Sequence, residues 1–286
     1  MTTTVAASHR RPWVPLAAFY LLACALSWTA WLPLLLWQWR LLAHPPSQYW
    51  HLAGSLGPAV AALVVAGLFG GDGALPRLLR RAVAWRVPAI WHVIAWCSPL
   101  ALFGVAALAL TAVGITWDLT TFGRSLEYPE LPAAGYWLAS ILFYGFGEEL
   151  GWRGFALPRL QHGRSALAAT VLLSLGWALW HLPLFGFAAG LSRMGGPEIV
   201  GWYFSILTGA ILFTWLFNST GGSVLIGAVF HGMMDVAFVS PAPPQLSAVV
   251  GGLVTAWGLA VLMVAGPRAL SRSGKVVDGE PTVLGR

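Results

Sequence analysis

The chain has 286 residues, of which 58% are hydrophobic and only 9% charged, and its mean hydropathy is +0.73. This composition excludes an ordinary soluble domain and is typical of polytopic membrane proteins. The net charge of +6 is accounted for by membrane topology and by attraction to anionic lipids, so nucleic acid is not expected as a partner. We therefore expect an all-α, multi-pass protein of the cell membrane.

Apolar segments of about 20 residues, the length that crosses a bilayer, recur along the chain. They predict eight transmembrane helices, at 14–38, 52–70, 90–115, 134–157, 166–186, 199–217, 222–240 and 246–266. The first segment is too long for the apolar region of a cleaved signal sequence. Cys24 and Cys97 lie in different spans without metal-binding spacing, so a packing role is expected for both.

Lysine and arginine are unevenly distributed between the connections. One side collects Arg10, Arg11, Arg77, Arg80, Arg81, Arg86, Arg153, Arg159, Arg164, Arg268, Arg272, Lys275 and Arg286. The other side has only Arg40, Arg124 and Arg193, together with Asp118, Glu127, Glu130 and Glu198. Because short cytoplasmic loops carry the basic excess, both termini are predicted to be cytoplasmic.

The charge pattern also divides the chain into three parts. Residues 1–133 form three plain spans with a basic loop, and the Gly70–Pro88 stretch of that loop is either a basic surface helix or an ordinary connector. Residues 134–240 hold the charged groups inside apolar spans. Residues 241–286 are the last span and a polar tail, which is predicted to be disordered after Pro267.

Asn218-Ser219-Thr220 matches a glycosylation sequon, but its position favours a span terminus.

Two adjacent carboxylates lie inside the fourth span. Glu148 and Glu149 cannot face the same way on a helix that turns about 100° per residue. Arg153 follows Glu149 by four residues, the spacing at which a glutamate pairs best with a following basic residue. We therefore predict that Glu149 pairs with Arg153 and that Glu148 faces a cavity, where it can act as a general base towards water. A purely structural ion-pair cluster is the alternative.

Two histidines follow in later spans. His181 comes four residues after Trp177, and Pro183 predicts that the helix kinks or ends there. His231 and Asp235 share one helix face, so the carboxylate can accept an imidazole N–H. Ionisable groups at membrane depth are costly and persist mainly where they pair or do chemistry. Together these groups suit water activation and oxyanion stabilisation, or a divalent metal such as zinc held by Glu148, His181 and His231.

These three motifs, in this order, resemble the CPBP intramembrane proteases, which include the CAAX prenyl endopeptidases and bacteriocin-processing or immunity proteins. The matching residues are Glu148-Glu149 with Arg153, Trp177 with His181, and His231 with Asp235, and the Asn218 segment resembles the stretch before the family's third motif. The resemblance implies an eight-helix fold in which Glu148 and His181 activate water while His231 and residue 235 stabilise the oxyanion. Asp235 stands where the family often has Asn, and an ionised Asp cannot donate to an oxyanion.

The predicted function is therefore hydrolysis of a peptide bond near the bilayer, in a CAAX-type prenylated or a bacteriocin-like substrate. A transporter or proton-coupled channel that uses the same buried groups, and a non-catalytic immunity or scaffold protein, are the alternatives. One geometric conflict remains, because the predicted spans place Glu148 and His181 at depths that differ by about 13 Å. Re-entrant segments or shifted span boundaries are expected to remove it.

Overall fold

The computed structural model describes residues 13–71 and 73–278, and the regular structure of these residues is entirely helical. The helices are α1 (Trp13–Gln38), α2 (Tyr49–Ser55), α3 (Gly57–Phe69), α4 (Ala74–Ala82), α5 (Ala89–Ala112), α6 (133–160), α7 (Ala166–Trp180), α8 (Gly196–Ser219), α9 (Val224–Val239) and α10 (Pro244–Ala265). Short 3₁₀ turns form at Leu119–Thr121 and Leu182–Gly186. The predicted all-α class is confirmed.

Among the described residues, 6 helical stretches are long and apolar enough to cross a bilayer. They are Trp13–Gln38, Tyr49–Phe69, Ala89–Ala112, Ala166–Gly186, Gly196–Ser219 and Pro244–Ala265. The protein is thus an integral multi-pass membrane protein, whereas the predicted count of eight spans is not confirmed. The two remaining predicted spans differ from the others, since α6 changes helix type along its length and α9 has only 16 residues. These two helices carry the carboxylate pair and His231.

Helix α6 is a continuous helix with two π-helical stretches, Ser140–Phe146 and Leu150–Ala156, on either side of the carboxylate pair. Such π turns are rare and occur frequently at functional sites. Glycines let neighbouring backbones approach this helix closely. A Cβ at Gly147 would lie 2.6 Å from the Ser55 carbonyl oxygen, and one at Gly151 would lie 2.6 Å from Pro58 Cβ. Helix α6 therefore packs tightly against the junction of α2 and α3.

The other helices surround α6 in a single packed body. Helix α9 packs against α6 and α5, α8 packs between α7 and α10, and α1 lies along α3. One contiguous core cluster contains Phe19 of α1, Trp152 of α6 and Val276 beyond α10. The first three predicted spans thus contribute to the core around α6, while the predicted division at residues 133 and 240 stays a prediction.

Two expectations near the basic end of the molecule were wrong. Residues 267–278 are not a disordered tail, because Leu270, Val276 and Val277 are buried. Arg153 is 1% exposed, so it does not count among the loop charges that determine topology. The Gly70–Pro88 loop does contain a helix, α4, which packs against α6 and so is more than a surface connector.

Of the remaining expectations, the one for Asn218 is confirmed and the one for the chain termini stays a prediction. Asn218 is buried and α8 ends at Ser219, which confirms a span terminus rather than a glycosylation site. Arg81, Arg159 and Asp278 meet at one end of the bundle, so α4, the end of α6 and the segment after α10 share one side. Arg10, Arg11 and Arg286 lie outside the described residues, and the cytoplasmic location of both termini stays a prediction.

Candidate active site

Glu149 is fully buried and holds two basic groups. Its Oε1 accepts a hydrogen bond of 2.7 Å from Arg153 Nη1, which confirms the predicted pair. The same oxygen lies 2.8 Å from His231 Nδ1. Because this carboxylate is paired with Arg153, its oxygen accepts a hydrogen bond from the Nδ1–H group of His231. We call Glu149, Arg153 and His231 the brace, because this set ties α6 to α9.

Aromatic rings complete the brace. The guanidinium carbon of Arg153 lies 4.4 Å from the ring centre of Trp177 and 4.2 Å from that of Phe213. Cation–π contacts of this kind are strongest when the cation is desolvated, as it is here. The brace thereby fixes α7 and α8 as well as α6 and α9, and the motif-bearing helices meet around one buried charge cluster.

Glu148 makes no hydrogen bond to the brace, and only one of its two oxygens is hydrogen-bonded. Its Oε2 accepts a hydrogen bond of 2.7 Å from Trp177 Nε1, while its Oε1 lies 4.0 Å from His231 Nε2, beyond hydrogen-bonding distance. The residue is 4% exposed. Glu149 and not Glu148 thus pairs with Arg153, as predicted, while the role of Glu148 as a general base facing a cavity stays a prediction.

His181 is held by the same tryptophan. Its Nδ1 lies 2.7 Å from the carbonyl oxygen of Trp177, and because a carbonyl can only accept, this nitrogen carries the proton. In the neutral ring the lone pair is therefore on Nε2. We call Glu148 and His181 the open pair. Trp177 holds one atom of each side chain, whereas Oε1 of Glu148 and Nε2 of His181 take no part in these two hydrogen bonds.

Helix α7 ends beside His181 for a local reason. Pro183 has no N–H, so it cannot donate to the Trp180 carbonyl in a tight turn. Trp28 Nε1 of α1 donates to that carbonyl instead, at 3.0 Å, and Trp180 Nε1 donates to Ser27 Oγ at 2.7 Å. Helix α1 therefore fixes the end of α7 on which His181 sits, a contribution that the sequence did not indicate.

Asp235 does not orient His231 in the way its spacing suggested. Its Oδ2 lies 3.8 Å from His231 Nε2, and this oxygen has no hydrogen-bond partner among the described residues. Glu149, from another helix, accepts the Nδ1 proton instead. The Nε2 atom of His231 thus faces two carboxylates, Asp235 and Glu148, at similar distances.

The expected conflict in depth disappears because α6 extends beyond its predicted end. Glu148 precedes the end of the helix at Leu160 by 12 residues, or about 18 Å, and His181 follows the start of α7 at Ala166 by 15, or about 22 Å. The remaining difference is small enough for Trp177 to contact both members of the open pair. A shifted span boundary is therefore the explanation.

A polar network on the opposite side of the bundle from α4 was not predicted. His51 Nδ1 lies 2.8 Å from Glu127 Oε1, and Tyr128 donates to the same carboxylate at 3.1 Å. In the same loop, the Tyr49 hydroxyl donates to Glu130 and holds the pKa of that carboxyl below its ordinary value. The only sequence signal was a histidine near the start of an apolar span, and a lone histidine does not reveal a partner 76 residues away.

The predicted zinc ligands are Glu148, His181 and His231. Within 13–71 and 73–278, no three or more His, Cys, Asp or Glu side chains are grouped so that they could hold a metal ion. One ring nitrogen of each histidine is already engaged, His181 by Trp177 and His231 by Glu149. These bonds leave Nε2 of both histidines outside them, and zinc on Glu148, His181 and His231 stays a prediction.

Comparison with known proteins identifies the region that contains the site. Residues 130–237 match the family model of the type II CAAX prenyl endopeptidase Rce1-like proteins. Over 93 residues the chain is 30% identical to a protein named CAAX prenyl protease 2 from Methanococcus maripaludis, an alignment that covers 31% of this chain. The chain spans about a third of that relative's length, since 34% of it is covered. The resemblance to the CPBP proteases is thus supported over residues 130–237, which are similar to the CAAX endopeptidases.

Proposed function

We propose that this protein is an intramembrane endopeptidase that hydrolyses a peptide bond near the bilayer, with water activated by Glu148 and His181. The observation that carries the proposal is the single unheld oxygen of Glu148, which lies 4.0 Å from His231 Nε2 while its other oxygen is fixed by Trp177. The family match, which includes all of these residues, supports peptide hydrolysis over transport.

In the proposed mechanism one water molecule bridges Glu148 and His231. Atoms 4.0 Å apart are too far for a direct hydrogen bond, but both can contact one water at about 2.8 Å if it sits to the side of the line that joins them. His181 Nε2, an acceptor in the neutral ring, adds a second site for a proton of that water. The open pair would then remove the proton as the oxygen attacks.

The bond changes follow from these positions. Glu148 Oε1 takes one proton from the water, the resulting hydroxide adds to the scissile carbonyl carbon, and the C=O electrons move to the oxygen. In its doubly protonated form, His231 donates through Nδ1 to Glu149 and through Nε2 to this oxyanion. When the tetrahedral intermediate collapses, the C–N bond breaks and Glu148 returns its proton to the leaving nitrogen. Asp235, as an anion, stabilises the charged imidazole rather than the oxyanion.

The substrate and surroundings are part of the proposal. The name of the archaeal relative favours a CAAX-type prenylated peptide, and a bacteriocin-like peptide is the second class. We place the protein in the plasma membrane with both termini in the cytoplasm, so that the basic end near α4 contacts anionic lipids. Trp177, Glu149 and Arg153 support the reaction by holding three of the proposed catalytic groups, Glu148, His181 and His231, and Asp235 is the fourth.

The deciding experiment is cleavage of a peptide library by the purified protein in liposomes, with Glu148→Ala as the comparison. Cleavage by the wild type that Glu148→Ala abolishes is the expected result. A chelator added to the wild type decides on the metal, because loss of cleavage that returns with zinc would assign a metal to the open pair. If the wild type cleaves nothing while Glu148→Ala alters proton or solute flux in the same liposomes, the transporter replaces the protease.

A further inference from the structure

The segment after α10, residues 267–278, packs against the bundle and is here called the docked segment. Leu270 is fully buried, and Val276 and Val277 are 4% and 3% exposed. Its hydrogen bonds reach three of the helices that carry or precede the three sequence motifs.

The docked segment caps the first turn of α7. The backbone N–H of Ala166 donates to the Arg268 carbonyl at 2.8 Å, and that of Leu167 donates to the Pro267 carbonyl at 3.0 Å. The first N–H groups of a helix have no partner within it, so these carbonyls satisfy two of them. The start of the helix that carries Trp177 and His181 is thus fixed by the docked segment.

Side-chain amides fasten the same segment to the ends of α6 and α8. Asn218 and Gln161 exchange two hydrogen bonds, of 2.9 and 3.1 Å, and both side chains are buried. Asn218 also donates to the Ala269 carbonyl at 2.7 Å, and Gln161 donates to the Val276 carbonyl at 2.8 Å. The docked segment is therefore bound at the point where α6 ends and where α8 leads into the third motif.

Asp278 adds an ion-pair contact to this arrangement. Its Oδ1 accepts a hydrogen bond from Arg81 Nη1 at 3.1 Å, and its Oδ2 forms an ion pair with Arg159 Nη1 at 2.8 Å. The three side chains are between 13% and 18% exposed. One carboxylate thereby joins α4 to the end of α6, with a different oxygen for each arginine.

The same two arginine nitrogens also bind the backbone of the catalytic helix. Arg81 Nη1 donates to the Gly154 carbonyl at 2.9 Å, and Arg159 Nη1 donates to the Phe155 carbonyl at 2.8 Å. Pro158 lacks the N–H that would bond the Gly154 carbonyl in an α-helix, so Arg81 supplies the donor that the sequence removes. Gly154 directly follows Arg153 in the π-helical stretch.

We propose that Asp278 is a positioning residue for the active site, which acts through Arg81 and Arg159 to hold the π-helical stretch that carries Arg153. Asp278 fixes the direction of both guanidinium groups, and these fix two carbonyls next to Arg153. Arg153 in turn holds Glu149, and Glu149 holds His231. The effect on hydrolysis depends on the proposed function, whereas the effect on the backbone of 150–160 does not.

The test uses the full chain in detergent and compares the wild type with Asp278→Asn, Asp278→Glu and Glu198→Gln. Glu198 is an exposed carboxylate in the first turn of α8 and serves as the matched control. We expect Asp278→Asn to raise hydrogen exchange within 150–160 and to lower kcat about tenfold with KM unchanged, as loss of a charge-assisted hydrogen bond would. Asp278→Glu should recover most of both losses, and Glu198→Gln should change neither.

Any of four results would overturn the proposal. Exchange within 150–160 and kcat in Asp278→Asn could equal those of Glu198→Gln. The loss could appear in KM alone. Exchange could rise equally in all helices, or the variant could fail to fold, either of which would make Asp278 a general element of the fold. Absence of any peptide cleavage by the wild type would count against the proposed function, and the exchange comparison would still decide the role of Asp278.

Discussion

Glu148 and Glu149 are neighbours in the chain, but the open pair and the brace around them differ in what their atoms contact. In the brace, Glu149 Oε1 lies within 2.8 Å of both Arg153 and His231, and the carboxylate is fully buried. In the open pair, Glu148 has one hydrogen bond, from Trp177, and one oxygen that faces His231 across 4.0 Å. Glu149 Oε2 also has no hydrogen-bond partner among the described residues, so the two carboxylates differ in the groups they face: Glu149 contacts Arg153 and Nδ1 of His231, whereas Glu148 contacts Trp177 and faces Nε2 of His231.

Glu148→Gln gives the largest expected effect on activity and the smallest on the fold. The amide oxygen can still accept from Trp177 Nε1, but the side chain can no longer take a proton from water. We expect peptide hydrolysis to fall about 1000-fold, within the range for loss of a general base. Hydrolysis rates and unfolding in detergent measure the two effects. Activity near the wild-type level would remove Glu148 from the mechanism.

Glu149→Gln should instead reduce stability. Removing one partner of a buried ion pair leaves Arg153 without a compensating charge, which costs about 3 to 5 kcal/mol in the free energy of unfolding. Hydrolysis should slow as well, because His231 loses the carboxylate that accepts a hydrogen bond from its Nδ1. The control is Glu149→Gln combined with Arg153→Met, which should regain part of the stability and none of the activity. Equal stability of Glu149→Gln and Glu148→Gln would contradict the distinction between brace and open pair.

Trp177→Phe separates the two regions at the residue that contacts both. The phenyl ring can keep its place over the Arg153 guanidinium, but the donor to Glu148 Oε2 is lost. We expect kcat to fall about tenfold, as for one hydrogen bond to a charged group, with little change in unfolding. Trp215→Phe, a ring that packs against Trp91 and Trp257, is the matched control. A large loss of stability in Trp177→Phe alone would assign Trp177 to the brace.

The same distinction shows what sequence reasoning could reach. The pairing of Glu149 with Arg153 was predictable, because spacing within one helix fixes the geometry. The bond from Glu149 to His231 crosses 82 residues and depends on which helices pack together, which spacing does not determine. The prediction that Asp235 would orient His231 failed for the same reason, since a residue on another helix took that position.

The largest error concerned residues that look unstructured in isolation. The segment after Pro267 is short and mostly polar, and its few apolar residues, such as Leu270 and Val276, show no helical or strand period. They become buried because α6 and α8 end, and α7 begins, at the same side and leave partners for them. The π-helical stretches of α6 were not predicted from the sequence.

Asp235→Asn is expected to have the smallest effect and tests the boundary between the two regions. No described residue donates a hydrogen bond to Oδ2 of Asp235, so an amide there breaks no bond to that atom. The change removes a negative charge 3.8 Å from His231 Nε2 but adds a donor that can reach the oxyanion. We expect hydrolysis to stay within about fivefold of the wild type, close to the net worth of one hydrogen bond. The measurement is kcat of both variants on one peptide. A loss of kcat as large as that of Glu148→Gln would show that the Asp235 charge is essential to the reaction.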